Sequence, residues 1–133
     1  MLTIPLPPAT KKNHQQIRFS GGKSWIAQSE RYRQYEADCL RLITGTYRKH
    51  IACPVNIKAV YYMPNARRVD ISNLHSALHD VLVKAGVLKD DSSLSPRIVA
   101  GTDGSRVCID RQHPRTEIEI TEWEETENEK QIP

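Results

Sequence analysis

The stretch that most constrains the fold of this chain runs from Arg67 to Asp91. Asp70 or Ser72 can cap the beginning of a helix there, and Gly86 stands where a left-handed residue often ends one. The apolar residues between these ends recur at intervals of three and four, the spacing of one helix face. They are Leu74, Leu78, Val81, Leu82 and Ala85. The sequence therefore predicts an amphipathic helix with one buried face.

Charged and polar residues surround this helix. Asn73, Ala77, Asp80 and Lys84 form a second stripe directly beside the apolar one. We therefore expect the carboxylate of Asp80 to be half buried at the edge of the core. Two further aspartates, at 90 and 91, follow the helix and could return to its N-terminus only if the chain folds back.

These residue types suit a divalent metal site. Hard cations such as Mg2+ take oxygen ligands, so a site of this kind needs Asp or Asn from at least two segments. A bound metal can assist a displacement at phosphorus, and Arg67 and Arg68 could clamp the phosphate. The same residues also fit a structure without a ligand, in which Asp70 caps a helix and Asp80 lies on its surface. Spacing alone leaves both interpretations open.

The central motif resembles that of a known family. The run D-x-x-N-L-x-x-A-x-x-D-x-L-x-K-A-G-x-x-x-D-D, from Asp70 to Asp91, is similar to the signature of the RusA family of Holliday-junction resolvases. The segment 7–13, the aromatic helix after Ser29 and the strand that ends near Met63 follow that family in order and spacing. The resemblance covers nearly the whole domain.

The resemblance implies a homodimeric endodeoxyribonuclease that resolves four-way DNA junctions by paired nicks in recombination and repair, with Mg2+ or Mn2+ as cofactor. Family members are often encoded by phages or prophages. Asp70 and Asp91 match metal-binding carboxylates, whereas Asn73, Asp80 and Asp90 match positions that accompany them. The predicted catalytic residues are Asp70, Asp80 and Asp91, and the predicted metal ligands are these three with Asp90 and Asn73.

Two positions depart from the family pattern. Ser72 stands where the family usually has a second Asp, and Ser76 where it usually has a Lys. An alternative hypothesis is therefore a catalytically weakened protein of the same fold that still binds junction DNA. A third is a general flap or single-strand nuclease, which competition by linear duplex and flap substrates would distinguish.

Composition supports a single cytoplasmic domain without a membrane partner. The chain has 133 residues, lacks an apolar run long enough for a membrane span, and shows no signal-peptide core. Its three cysteines include no C-x-x-C pair, which argues against a disulfide framework and a Cys-rich zinc site.

The charge distribution favours a polyanionic partner. The net charge is +3, but residues 122–133 hold five Glu against one Lys, so residues 1–121 carry 18 basic and 11 acidic side chains, a net of +7. We predict a nuclease domain over 1–122 and an acidic, flexible tail over 123–133. The predicted DNA-binding residues are Lys11, Lys12, Asn13, Arg18, Lys23, Arg67, Arg68 and Lys84.

The remaining periodicities predict an α+β fold, with one mixed sheet packed against two helices. Ser29 is expected to cap a helix from Glu30 to Thr44, with Tyr32 and Tyr35 in the core rather than stacked on bases. Alternation and turn residues predict strands over 1–6, 55–62, 94–100, 107–109 and 116–122, and a hairpin of 16–19 with 23–27.

Overall fold

The computed structural model describes residues 1–11, 15–28, 30–90 and 98–123, and within 15–20 and 23–28 it describes the backbone. Seven strands and two α-helices lie in this part of the chain. They are β1 (Leu2–Ile4), β2 (Gln15–Ser20), β3 (Lys23–Gln28), α1 (Glu30–Leu42), β4 (Val55–Met63), α2 (Ile71–Lys84), β5 (Val99–Gly101), β6 (Arg106–Ile109) and β7 (Arg115–Glu122).

The five-stranded sheet is built around β4. On one side β4 pairs antiparallel with β7, and β7 pairs antiparallel with β1, which forms the edge that Pro5 predicts. On the other side β5 pairs parallel with the beginning of β4, and β6 pairs parallel with its end. The strands β2 and β3 form a separate antiparallel hairpin, as predicted. The α+β class and the mixed sheet are confirmed.

The core lies between the sheet and α2. Alternate residues of β4, from Val55 to Tyr61, are buried, which explains their period of two. Every residue of the predicted helix stripe is at most 2% exposed. Ala77 is also buried, so the apolar face is wider than the stripe. Full burial of a Leu or Val side chain contributes roughly 1.5–3 kcal/mol, so this face stabilises the helix more than intrinsic propensity does.

Helix α1 ends at Leu42, two residues earlier than the sequence predicts, and Gly45–Tyr47 continues as a short 3-10 turn. The Arg48 guanidinium donates to the carbonyl oxygens of Leu40 and Ile43, and so satisfies acceptors that a helix end leaves without partners. Tyr32 is fully buried and Tyr35 packs against the core, which confirms their predicted place.

Both predicted ends of α2 are confirmed. Asp70 is the N-cap, and its Oδ1 accepts the backbone N–H of Ser72 at 2.9 Å. Gly86 has a φ of 78°, and a Cβ at this position would lie 2.8 Å from Cε1 of His50. A side chain at residue 86 would therefore meet both backbone strain and a steric clash.

Some sequence predictions fall partly or wholly outside the described residues. Of the strand predicted over 94–100, residues 99 and 100 belong to β5, and residues 91–97 are outside the description. The predicted cap Ser29 and the tail from 124 to 133 are outside it as well.

Candidate functional site

Asp70 places an exposed carboxylate at the beginning of α2. Its Oδ1 accepts the Ser72 backbone N–H and also the Ser72 hydroxyl, at 2.9 and 2.7 Å. The chain reaches this point from the end of β4, so the central strand and the buried face of α2 together fix the position of the carboxylate. The positive end of the helix dipole favours the ionised form there.

Three residues on the first two turns of α2 follow Asp70 closely in the chain, namely Ser72, Asn73 and Ser76. Asn73 lies one turn beyond Asp70 and is partly buried, so its side-chain amide can supply a second oxygen donor. Ser72 and Ser76, the two departures from the family pattern, are exposed and four residues apart, so they share a helix face. The bond between Ser72 and Asp70 shows that the side chain of residue 72 lies within hydrogen-bond distance of the Asp70 carboxylate.

A basic groove lies next to Asp70. Arg67 and Arg68 line it, and Arg31 of α1 lines it as well. The groove has a volume of about 290 Å³, and the other described residues that line it carry no charge. We call it the arginine groove. The sequence contains Arg31 at the start of a helix, but no spacing rule connects it to residues 67 and 68, and so only the fold reveals this neighbour.

Asp80 lies elsewhere on α2 and forms a salt bridge with Lys11. The Asp80 side chain is 45% exposed, which confirms the expected half burial. Lys11 also stands 5.9 Å from the centroid of the Tyr32 ring, and burial together with neighbouring Lys84 lowers the pKa of Lys11. Two residues predicted for different roles, catalysis and DNA binding, thus pair with each other.

Lys84 is likewise paired within the chain. Its Nζ donates to both carboxylate oxygens of Glu36 on α1, at 3.0 and 2.9 Å. The second stripe of α2 therefore faces α1 through ion pairs, and this contact uses the cation that the sequence assigned to a DNA phosphate. Lys11 precedes β2 in the chain, but it lies between Asp80 of α2 and the Tyr32 ring of α1. We call the pairs Lys11 with Asp80 and Lys84 with Glu36 the interhelical ion pairs.

The structure separates Asp70 from Asp80 along α2, since Asp70 is the N-cap and Asp80 lies ten residues further on. Ten helical residues rise about 15 Å, whereas the oxygen ligands of one Mg2+ lie within about 2.1 Å of the ion. Within one chain, a single ion therefore cannot contact both Asp70 and Asp80. Asp90 follows the far end of α2, where Lys89 donates its backbone N–H to the Ile51 carbonyl.

The other predicted site residues remain predictions. Asp91, Lys12 and Asn13 lie outside the described residues, and Arg18 and Lys23 are described in their backbone only. Within the described ranges, no group of three or more His, Cys, Asp or Glu side chains is placed to hold a metal ion. Asp70 and Asn73 offer oxygen donors that suit a hard cation, but the described residues alone do not complete its ligand set.

Sequence reasoning gave no role to a histidine cluster on the opposite flank of α2. The hydroxyl oxygen of Tyr61, on β4, lies 2.7 Å from Nδ1 of His75. The His75 and His79 rings stack with their centroids 5.6 Å apart. Burial lowers the pKa of His75. The spacing of four residues between the histidines places them on one face and could have revealed the pair, but not its contact with Tyr61.

Comparison with known proteins gives a consistent match. The family model described as Endodeoxyribonuclease RusA matches residues 5–121. A protein of Enterobacteria phage 82, named Crossover junction endodeoxyribonuclease rusA, is 36% identical over 95 residues, which cover 70% of this chain and 74% of the relative. No helix within the described ranges combines the length and apolar character that crossing a membrane requires.

Bacterial relatives of the same name are similar at the same level. The protein of Shigella sonnei strain Ss046 is 34% identical over 95 residues, and that of Escherichia coli strain K12 is 32% identical over 94. Each match covers 70% of this chain and 74% of the relative.

Proposed function

Because the chain belongs to the RusA family of endodeoxyribonucleases, we propose that it is a structure-selective nuclease that cuts four-way DNA junctions by paired nicks. The named relatives are crossover junction endodeoxyribonucleases. Two nicks placed symmetrically in one junction require two active sites, which a homodimer supplies. We therefore propose a homodimer as the active form, with Mg2+ or Mn2+ as its cofactor.

The observation that carries the proposal is the position of Asp70 beside the arginine groove. An exposed carboxylate at a helix beginning has a simple structural role as a cap. Here Arg67 and Arg68 stand just before it and line a groove that has no acidic side chain among its described lining residues. A site that cuts DNA needs cationic groups that bind the backbone and a carboxylate close to the scissile phosphate, and this end of α2 supplies both.

The residues have distinct tasks in the proposed reaction. Asp70 and Asp91 would hold the cation, with the amide oxygen of Asn73 in support, and Asp80 is left out because it lies about two and a half turns away along α2. A divalent cation supplies positive charge that stabilises the phosphoryl group during displacement. Arg67 and Arg68 hold the DNA backbone by N–H donation to phosphate oxygens, which fixes the phosphodiester next to Asp70.

A labelled immobile four-way junction tests this function. We expect symmetric, ligatable nicks when Mg2+ or Mn2+ is present and intact junction when EDTA replaces the metal. Asp91→Asn should abolish cutting but preserve junction binding, because it removes one carboxylate and leaves the basic surface unchanged. Asp103→Asn, in the exposed turn before β6, serves as a matched control and should cut like the wild type.

Three results would contradict the proposal in different ways. Tight junction binding without cutting under any divalent metal would identify a binding protein of this fold. Equal cutting of linear duplex and flap DNA would indicate a general nuclease. Cutting by Asp91→Asn at the wild-type rate would remove Asp91 from the site.

A further inference from the structure

The arginine groove joins cations from two distant segments of the chain. Arg31 lies in the first turn of α1, whereas Arg67 and Arg68 lie between β4 and α2. All three side chains are exposed, and the groove between them contains uncharged residues such as Thr10, which is 4% exposed, and Asn65. The fold thus places three positive charges around one concave site.

The three arginines form no ion pair within the described part of the chain. Among those residues, no carboxylate forms a salt bridge with Arg31, Arg67 or Arg68, whereas Lys11 and Lys84 are both paired. Like charges that converge on one groove repel each other, and an anion in the groove would reverse this unfavourable interaction. Guanidinium groups bind phosphate through parallel N–H donation, so a phosphate is the anion that suits them.

We propose that Arg31 acts with Arg67 and Arg68 to bind one backbone phosphate of the DNA. Arg31 thus contributes a DNA contact from α1, outside the central motif. This inference rests on the proposed function, since it takes a phosphodiester of DNA as the ligand. Asp70 follows Arg68 by two residues, so a strand bound in the groove continues past the carboxylate that the reaction uses. The groove positions the strand and does not take part in the chemical step.

The salt dependence of binding tests Arg31 directly. Junction affinity is measured in EDTA, which prevents metal-dependent cutting, at salt concentrations between about 50 and 200 mM. Arg31→Gln should weaken binding about three- to tenfold near 0.1 M salt. It should also reduce the log-log salt slope, by less than the roughly 0.9 of a whole phosphate contact, because Arg67 and Arg68 still bind the shared phosphate. Arg31→Lys should retain the slope but bind more weakly, because an ammonium keeps the charge and loses the bidentate geometry.

Arg33→Gln is the matched control, because Arg33 is exposed on the same helix and stands 4.0 Å from Glu30 instead of in the groove. Gln has a helix propensity close to that of Arg, so both variants should keep the melting temperature of the wild type. An equal change of slope in Arg31→Gln and Arg33→Gln would overturn the proposal.

A double-mutant cycle tests whether one phosphate is shared. If Arg31 and Arg67 bind the same phosphate, the double variant Arg31→Gln with Arg67→Gln should lose less affinity than the two single losses combined. Strict additivity would show separate contacts and contradict the shared site.

Binding of thymidine monophosphate tests whether the groove takes free nucleotides instead of DNA. If it raises the melting temperature of the wild type while the DNA slopes of wild type and Arg31→Gln coincide, the groove binds free nucleotides and the DNA assignment fails.

The two proposals can fail independently. A wild type that cuts no junction, combined with the expected slope difference, would refute the nuclease function and support the groove. Normal junction cutting without a slope difference would refute the groove and leave the nuclease function in place.

Discussion

The N-terminal end of α2 and the side of α2 that faces α1 carry similar residues but use them differently. At the N-terminal end, Arg67 and Arg68 line a groove and form no salt bridge with any described carboxylate. On the side that faces α1, Lys11 pairs with Asp80 and Lys84 pairs with Glu36. Both regions contain residues predicted to bind DNA or metal.

The difference shows that charge in a motif is ambiguous until its partners are known. A cation that is paired within the chain stabilises the packing of two helices, and it must give up that partner before it can bind phosphate. An unpaired cation in a groove has no such competing interaction. The arginine groove is therefore the stronger candidate for DNA contact, and the interhelical ion pairs have a structural role in the described conformation.

The largest expected effect separates Asp70 from Asp80. Asp70→Asn should reduce junction cutting by at least about 100-fold, because it removes a carboxylate from the proposed metal centre. A bound metal stabilises the charge of the transition state by roughly several kcal/mol. Asp80→Asn should reduce cutting by less than about fivefold, because Asp80 cannot share an ion with Asp70. Single-turnover rates on the labelled junction provide the measurement.

Substitution by Asn makes this comparison clean. Asn caps a helix about as well as Asp, so Asp70→Asn should retain the melting temperature, whereas Asp70→Ala should lower the free energy of unfolding by about 1 kcal/mol. Wild-type cutting by Asp70→Asn would show that residue 70 is only a cap. A loss of cutting in Asp80→Asn as large as in Asp70→Asn would restore Asp80 to the site.

The next effect concerns the two departures from the family pattern. Ser72→Asp places a second carboxylate beside Asp70 and should lower the Mg2+ concentration for half-maximal cutting by about tenfold, since affinity rises with ligand charge. Ser76→Lys should add a cation one turn along the same face and improve turnover in the double variant. Junction cutting across a Mg2+ titration measures both. A rise in the required Mg2+ for Ser72→Asp would indicate that other ligands already fill the position and that the added charge crowds it.

A smaller effect is expected at the interhelical ion pairs. Glu36→Gln removes the pair with Lys84 and should lower the free energy of unfolding by about 0.5–1 kcal/mol at low salt, with a smaller loss near 1 M salt, where the pair is screened. Urea denaturation at both salt concentrations is the measurement. Glu119→Gln is the matched control, because its partner Lys58 stands 3.8 Å away and the Glu119 side chain is more exposed than that of Glu36. If Glu36→Gln weakens junction binding without a change in stability, the pair belongs to the DNA surface.

The smallest effect involves the histidine cluster. Burial lowers the pKa of His75 in the folded state, while the unfolded value stays near 6.5. Between these two values the unfolded chain binds more protons, so the free energy of unfolding should rise with pH through this window and level off above about 6.5. His75→Gln should remove this dependence, whereas His113→Gln, at an exposed position, should retain it. An unchanged pH profile in His75→Gln would assign the dependence to other groups.

Much of the fold follows from local pattern. The stripe from Leu74 to Ala85 has the period of a helix, and the alternation from Val55 to Tyr61 has the period of a strand, so each element and its buried face can be read directly. Caps work in the same way, because Asp70 acts on the next turn and Gly86 on its own backbone. The end of α1 was less predictable, since Arg48 closes it from six residues beyond Leu42.

The sequence by itself determined the helix that carries the motif, the position of Asp70 at its beginning and the family to which the motif belongs. Only the tertiary structure decided which charges meet. Arg31 joins Arg67 in the groove because the beginning of α1 and the end of β4 both border it, and Asp80 pairs with Lys11 because the N-terminal segment passes α2. Such contacts join residues more than thirty positions apart, and periodicity carries no information about them because it describes one element at a time.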